Sequence, residues 1–212
     1  MFGFLKKKEF LNAQIKAFPK ECREDVIFVC RQLSYRNLCN SSLYCRDFFI
    51  QDGKDYDWQT SNGEQIQIPS RIYITDQPDS VQSGFSERQK MIYHCMFSRS
   101  CDGYIREEHI RWLLSSVLPE WAKIYIIKIC GEYVVEILQA VYGFLSKVDC
   151  TEYKQVCALN LKNMQSGHSR MISYWNEFYR YDCYRYQDYI GKKLYAECFG
   201  YRKTGQKRII IE

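Results

Sequence analysis

The chain has 212 residues, a formal net charge of +5 and a high aromatic content that includes 18 Tyr. That length buries a real core in one or two domains. The many rings and modest charge exclude an intrinsically disordered chain, and the charge alone decides nothing about nucleic acid.

The opening "MFGFLKKKEFLNAQIKAF" puts its charges after a very short apolar start, so no export signal is read there. From Lys6 to about Asn37 the pattern predicts two helices. Phe10, Ile15 and Phe18 give the first its apolar stripe. Pro19 breaks that helix and suits the first turn of the next. In the second, Cys22, Val26, Val29, Cys30 and Leu33 recur at helical spacing.

From Asp47 to Thr75 the period changes. "FFIQ", "YDWQT" and "EQIQIPSRIYIT" alternate apolar and polar residues, which predicts a small antiparallel sheet of two or three strands. "SNG" predicts a hairpin with a type I′ turn. Pro69 places its strand at an edge or bends it. The polar stretch "DQPDSVQSGFS" (Asp76 to Ser86) is the candidate boundary. It divides 1–80, helices plus the small sheet, from 81–212, a helical bundle, unless the two are one continuous domain. Ser86 is a predicted N-cap.

After it the chain reads as helical. Met91, Ile92, Cys95 and Met96 form one face, "CDG" makes a corner, and Ile105, Ile110, Leu113 and Leu114 point inward from the next helix. Pro119 starts "PEWAKIYIIKICG", which Gly131 ends. "EYVVEILQAVYGFL" aligns Val134, Leu138, Val141 and Leu145, and "TEYKQVCALNLKNMQ", "SRMISYWNEFYRY" and "YQDYIGKKLYAECFG" come after it. The predicted class is mostly α (α+β): a helical-hairpin bundle with a small antiparallel N-terminal sheet. The longest apolar stretch, Ile124 to Leu145, is interrupted by Lys128, Glu132 and Glu136, so no membrane span is predicted and the expected location is cytoplasmic.

The 11 Cys are odd in number and none forms a CxxC pair, which predicts free thiols. Cys95, Cys130, Cys157 and Cys198 lie among apolar residues, as buried thiols do. With 3 His and no such pair, neither a metal nor another cofactor is expected.

Two stretches carry the candidate site residues. In "SRSCDGYIREEHIRWLL", Asp102 and Gly103 supply turn chemistry, and Arg106, Glu107, Glu108 and Arg111 fill what reads as a solvated helix face. Arg106, Glu107, Glu108 and His109 are the candidate partner contacts there, since exposed Arg and His at a rigid corner bind well. A winged-helix reading would make Arg106 to Arg111 a DNA-reading helix, but Glu107 and Glu108 would sit beside phosphates. In the C-terminal run, aromatics interleave with basic residues. From Asn160 onward ten Lys or Arg face five Asp or Glu. Met171, Tyr174, Trp175 and Phe178, then Ile190, Leu194 and Cys198, fall at helical spacing and predict core. Tyr181, Tyr184, Arg185 and Tyr186 read as a linker available to a partner. The tail "RKTGQKRIIIE" is expected to fray or to add a strand to the sheet.

The region from Ser86 to Leu145, with its "DG" turn, charged residue and apolar helix, resembles HEAT or armadillo helical hairpins. No fixed period repeats, and a non-repetitive bundle accounts for the same pattern. The chain as a whole resembles small bacterial proteins encoded beside secreted toxins, which implies an immunity protein. "RQKMIYH", with Arg88 and His94, is similar to the motif of HEPN-type ribonucleases. That implies a phosphate-positioning Arg and an acid–base His, although Gln89 stands where that family carries Asn, Asp or His.

The leading expectation is a non-enzymatic protein-binding module, most concretely an immunity protein that covers a toxin's active surface. Nuclease inhibitors tend to be acidic. On a basic chain the target would be something else, unless Glu107, Glu108, Glu120, Glu132 and Glu136 build a local acidic patch. The alternative is a nucleic-acid-binding protein using the basic, Tyr-rich C-terminal part.

Overall fold

The computed structural model describes residues 2–35, 50–51 and 56–202. The end of the first helical segment at Asn37, the first half of "FFIQ" and the C-terminal tail after Arg202 lie outside the described residues.

Helix α1 (Phe2–Ala17) turns at Pro19 through a short 3₁₀ turn into α2 (Arg23–Gln32). The predicted face of α2 is buried, from Cys22 to Leu33. Two short antiparallel ladders come next: β1 (Ile50–Gln51) pairs with β4 (Arg71–Ile72), and β2 (Trp58–Gln59) pairs with β3 (Gln65–Ile66). They do not merge into one sheet. Pro69 falls in the break between β3 and β4. The β2–β3 turn is not type I′. That type needs positive φ at both central residues, and only Gly63, at φ 84°, has it. Asn62 instead works through its side chain, whose Oδ1 accepts from Thr60 Oγ1 and Glu64 N.

The rest is helical, as the sequence predicts: α3 (Glu87–Phe97), α4 (Gly103–Leu114), α5 (Glu120–Ile129), α6 (Val135–Leu145), α7 (Thr151–Leu159), α8 (Leu161–Tyr174) and α9 (Ile190–Lys193). Ser86 caps α3 in a reciprocal capping box with Gln89. Asp102 caps α4, its Oδ1 accepting from Tyr104 N at 2.8 Å. Helix α3 packs on α2 and α4, α4 on α6, and α6 on α9. Among the described residues, no helix is long and apolar enough to cross a membrane.

Helix α5 is the axis of the core. Trp121, Ala122 and every residue from Ile124 to Ile129 are buried, as expected of a helix covered on all sides. Phe18 stacks on Tyr125 with ring centroids 5.3 Å apart, and the Tyr125 hydroxyl donates to the Ala17 carbonyl at 2.8 Å. The buried apolar residues form one cluster from Phe10 to Phe199, on both sides of residue 80. The cysteines of the described residues are free thiols, and Cys95, Cys130, Cys157 and Cys198 are buried as predicted.

One backbone connection ties the short strands to the helices. The Ile72 amide donates to the Arg99 carbonyl and the Cys101 amide to the Ile72 carbonyl, at 2.8 and 2.9 Å. Strand β4 is thereby pinned to the corner between α3 and α4, and Arg71 comes beside Arg99. Because Asp102 holds that corner, Asp102→Ala should lower stability by about 1 kcal/mol in urea unfolding, and Asp102→Asn by much less. Equal losses would show that the cap is not what the carboxylate contributes.

Candidate functional site

The site begins with one carboxylate. Glu132 lies just past the C-terminal end of α5 and is buried. Arg71 grips it with both terminal nitrogens, Nη1 to Oε1 at 2.7 Å and Nη2 to Oε2 at 2.6 Å. Arg99 adds Nη2 to Oε1 at 2.6 Å, and Arg106 brings Nε to 3.5 Å from Oε2. Burial pushes the Glu132 carboxyl up, but the charges of Arg99 and Arg71 outweigh it and hold the group below the usual carboxylate range. Burial lowers Arg99 to about 10 against the pull of Glu132.

The neighbouring carbonyls take part of the remaining donor capacity. Arg99 donates to the carbonyls of Pro69 and Ser70, and Arg106 to those of Ser100 and Cys101. Among the described residues, three donors of these two arginines find no hydrogen-bond partner: Arg99 Nη1, Arg106 Nε and Arg106 Nη2. Among the described residues, three guanidinium groups thus surround the one carboxylate of Glu132.

A cleft of about 340 Å³ opens over this cluster. Arg71, Arg99 and Glu132 line it, and Lys128 from α5 and Arg170 from α8 add two more cations. Ser70, Tyr73, Gly131 and Tyr174 complete the wall. Gly131 is required by a close crossing: a Cβ there would lie 2.9 Å from the Gly167 Cα of α8. The cleft continues into a row of rings. Tyr174 lies edge-on to Tyr133 at 5.7 Å and stacks with Phe178 at 6.3 Å. Beyond Phe178, Arg180 covers the Tyr184 ring at 5.9 Å.

Phe178 is 56% exposed, where helical spacing predicts it inside. After Tyr174 the helix widens into a π turn, Trp175–Tyr179. The wider turn moves each later side chain off the 3.6-residue register, and such turns recur at functional sites.

The predicted site residues do not form one surface. Arg106 is fully buried and His109 is 3% exposed, which corrects the expectation that they belong to a solvated face. Glu107 is half-buried and holds Arg111 through its Oε1, and Glu108 is exposed. With Arg106 committed to Glu132, α4 does not present the basic face that DNA reading needs. The acidic patch does not form around Glu132 either. Glu120 accepts from the Ser61 amide at 2.6 Å, and Glu136 is exposed. Tyr181, Tyr184 and Arg185 are exposed as predicted, whereas Tyr186 is half-buried with its hydroxyl 3.1 Å from His168 Nε2.

Arg88 and His94 do not converge. Arg88 pairs with Asp25 at 2.5 Å, while His94 is buried and stacked on Trp112 at 3.8 Å. His94 belongs to a different arrangement. Its Nδ1 lies 2.7 Å from His109 Nδ1, and His109 Nε2 lies 3.3 Å from Asp76 Oδ1, which also accepts from the Tyr93 hydroxyl. Among the described residues, no group of three His, Cys, Asp or Glu could hold a metal ion.

Sequence reasoning missed Arg71, Arg99, Lys128 and Arg170. One signal was present: Lys128 and Glu132 interrupt the most apolar stretch of the chain, and charges inside a buried helix need partners. No family model matches the chain, and no curated protein or solved structure matches it.

Burial, with His109 beside it, pushes His94 down to about 3, so the folded protein keeps it neutral. The unfolded chain takes up that proton below about pH 6.5. Stability therefore falls as pH drops below that value, because the unfolded state binds more protons. Between pH 6.5 and 5.5 the loss from this residue should be about 1 kcal/mol. His94→Phe should flatten that part of the urea-derived stability profile. An unchanged slope would assign it to another group.

Proposed function

We propose that this chain is a binding protein for single-stranded nucleic acid, held by the basic cleft and the ring row that leads from it. The observation that supports the reading most is the cleft lining, where Arg71, Arg99, Lys128 and Arg170 face one carboxylate and Tyr174 joins them to Phe178. Proteins that bind single strands combine cations for the phosphates with rings on which bases stack. The C-terminal part that supplies Arg170, Tyr174 and Phe178 is also where the chain's basic excess lies.

A second reading keeps a protein as the partner, concretely a toxin that the chain neutralises. Tyr104, Tyr181 and Tyr184 are 87%, 97% and 76% exposed, and tyrosines are common anchors of protein interfaces. Salt separates the two. Fluorescence anisotropy with a labelled single-stranded oligonucleotide should show affinity falling with salt, at a log–log slope of about −0.7 for each phosphate neutralised. Phe178→Ala should weaken binding about 5- to 150-fold, the loss of one stacked base. No binding at low salt, together with salt-insensitive capture of one protein, would establish the second reading instead.

A further inference from the structure

We propose that a second, smaller cleft, between α3, α4 and the chain that precedes α3, binds a guanidinium group: the head of an alkylguanidine or of an arginine side chain. The inference is independent of the nucleic-acid reading, because the two clefts share no lining residue. This one measures about 260 Å³ and is lined by Asp76, Asp79, His94, Glu108, His109 and Trp112 among others, with no Lys or Arg.

Asp76 is held ready for a cation. Its Oδ1 accepts from the Gln77 amide at 2.9 Å, the Tyr93 hydroxyl at 3.0 Å and His109 Nε2 at 3.3 Å. All three contacts fall on Oδ1, so among the described residues Oδ2 is left without a hydrogen-bond partner. Gln77 anchors the segment, its side chain bonded to the amide and carbonyl of Ser34 and to the Thr75 carbonyl. Burial pushes the Asp76 carboxyl up, but its hydrogen bonds, the one from His109 foremost, outweigh that and hold it below the usual carboxylate range. Asp79 and Glu108 stand exposed beside it. The cations of α3 and α4 are taken elsewhere: Arg88 by Asp25, Lys90 by Glu87, Arg106 by Glu132 and Arg111 by Glu107.

His94 points to a donor as the ligand. It is 6% exposed, it forms part of the wall, and its Nε2 has no hydrogen-bond partner among the described residues. With both rings uncharged, His109 donates from Nε2 to Asp76, so its Nδ1 accepts from His94 Nδ1 at 2.7 Å. His94 Nε2 then carries a lone pair, which an N–H satisfies and an anion does not. Trp112 stacks on His94 at 3.8 Å and 8° and belongs to the same wall. A guanidinium is planar, stacks on aromatic faces and presents five donors in a fork that fits carboxylates, whereas an ammonium is a strongly hydrated point charge. The volume lies below that of drug-sized sites, which suits one side-chain-sized head.

Proton–nitrogen NMR of the full chain tests this through the Trp112 indole, identified as the resonance lost in Trp112→Phe. The probes are ethylguanidinium, N-acetylarginine amide, N-acetyllysine amide and the uncharged N-acetylcitrulline amide, at constant ionic strength. The two guanidinium probes should shift that resonance saturably, with affinity at least about tenfold above the citrulline amide, the loss of a charge-assisted hydrogen bond. Asp79→Asn with Glu108→Gln, both at exposed positions, should weaken them several-fold. A tighter arginine amide would assign the site to a peptide's arginine and a tighter ethylguanidinium to a free alkylguanidine, and either upholds the inference. No saturable shift, lysine or citrulline amides that bind as tightly, or affinities unchanged in the double variant would overturn it.

Discussion

The carboxylate of Glu132 is the joint on which this structure turns. Strand β4 brings Arg71 to it, the α3–α4 corner brings Arg99, α4 brings Arg106, and the end of α5 supplies the acid itself. Removing an ion from water costs several kcal/mol even after relaxation, and only good geometry and further hydrogen bonds offset that. Here the geometry is a two-pronged grip by Arg71, reinforced by backbone carbonyls around Arg99 and Arg106. The arrangement fixes four segments relative to one another. Among the described residues it gathers three arginines on one carboxylate, and the cleft above it is lined by Arg71 and Arg99 of that group.

Local chemistry made most of the fold legible. The stripe from Cys22 to Leu33, the cap at Ser86, the Asp102 corner and the inward faces of α3 to α6 arise from residues within a few turns of each other. The site was not local. Arg106 sits among Glu107, Glu108 and Arg111, and by spacing it looks like one more solvated charge. It is buried because its partner lies far along the chain, at Glu132. His109 is hidden for the same kind of reason, by His94 and Asp76. Phe178 shows a different failure. Its period is helical, but the π turn after Tyr174 moves it outward.

The two buried polar centres have different characters. The Asp76–His109–His94 chain lines a smaller cleft of about 260 Å³ together with Asp79 and Glu108, and Trp112 lies flat over His94. It serves the packing of α3 on α4. The Glu132 cluster is rich in arginine, and the cleft it opens to continues into exposed rings. Burying charge is costly unless it is paired, and we propose that an anionic ligand supplies part of the negative charge at this cluster.

The most direct test of that claim is thermal unfolding in inorganic phosphate against chloride at equal ionic strength, for wild type and Arg170→Ala. An anion that binds the folded state alone raises the melting temperature with its concentration. The account predicts a rise in low-millimolar phosphate for wild type and a clearly smaller one for Arg170→Ala. Identical melting temperatures in the two salts, or equal rises in both proteins, would contradict it.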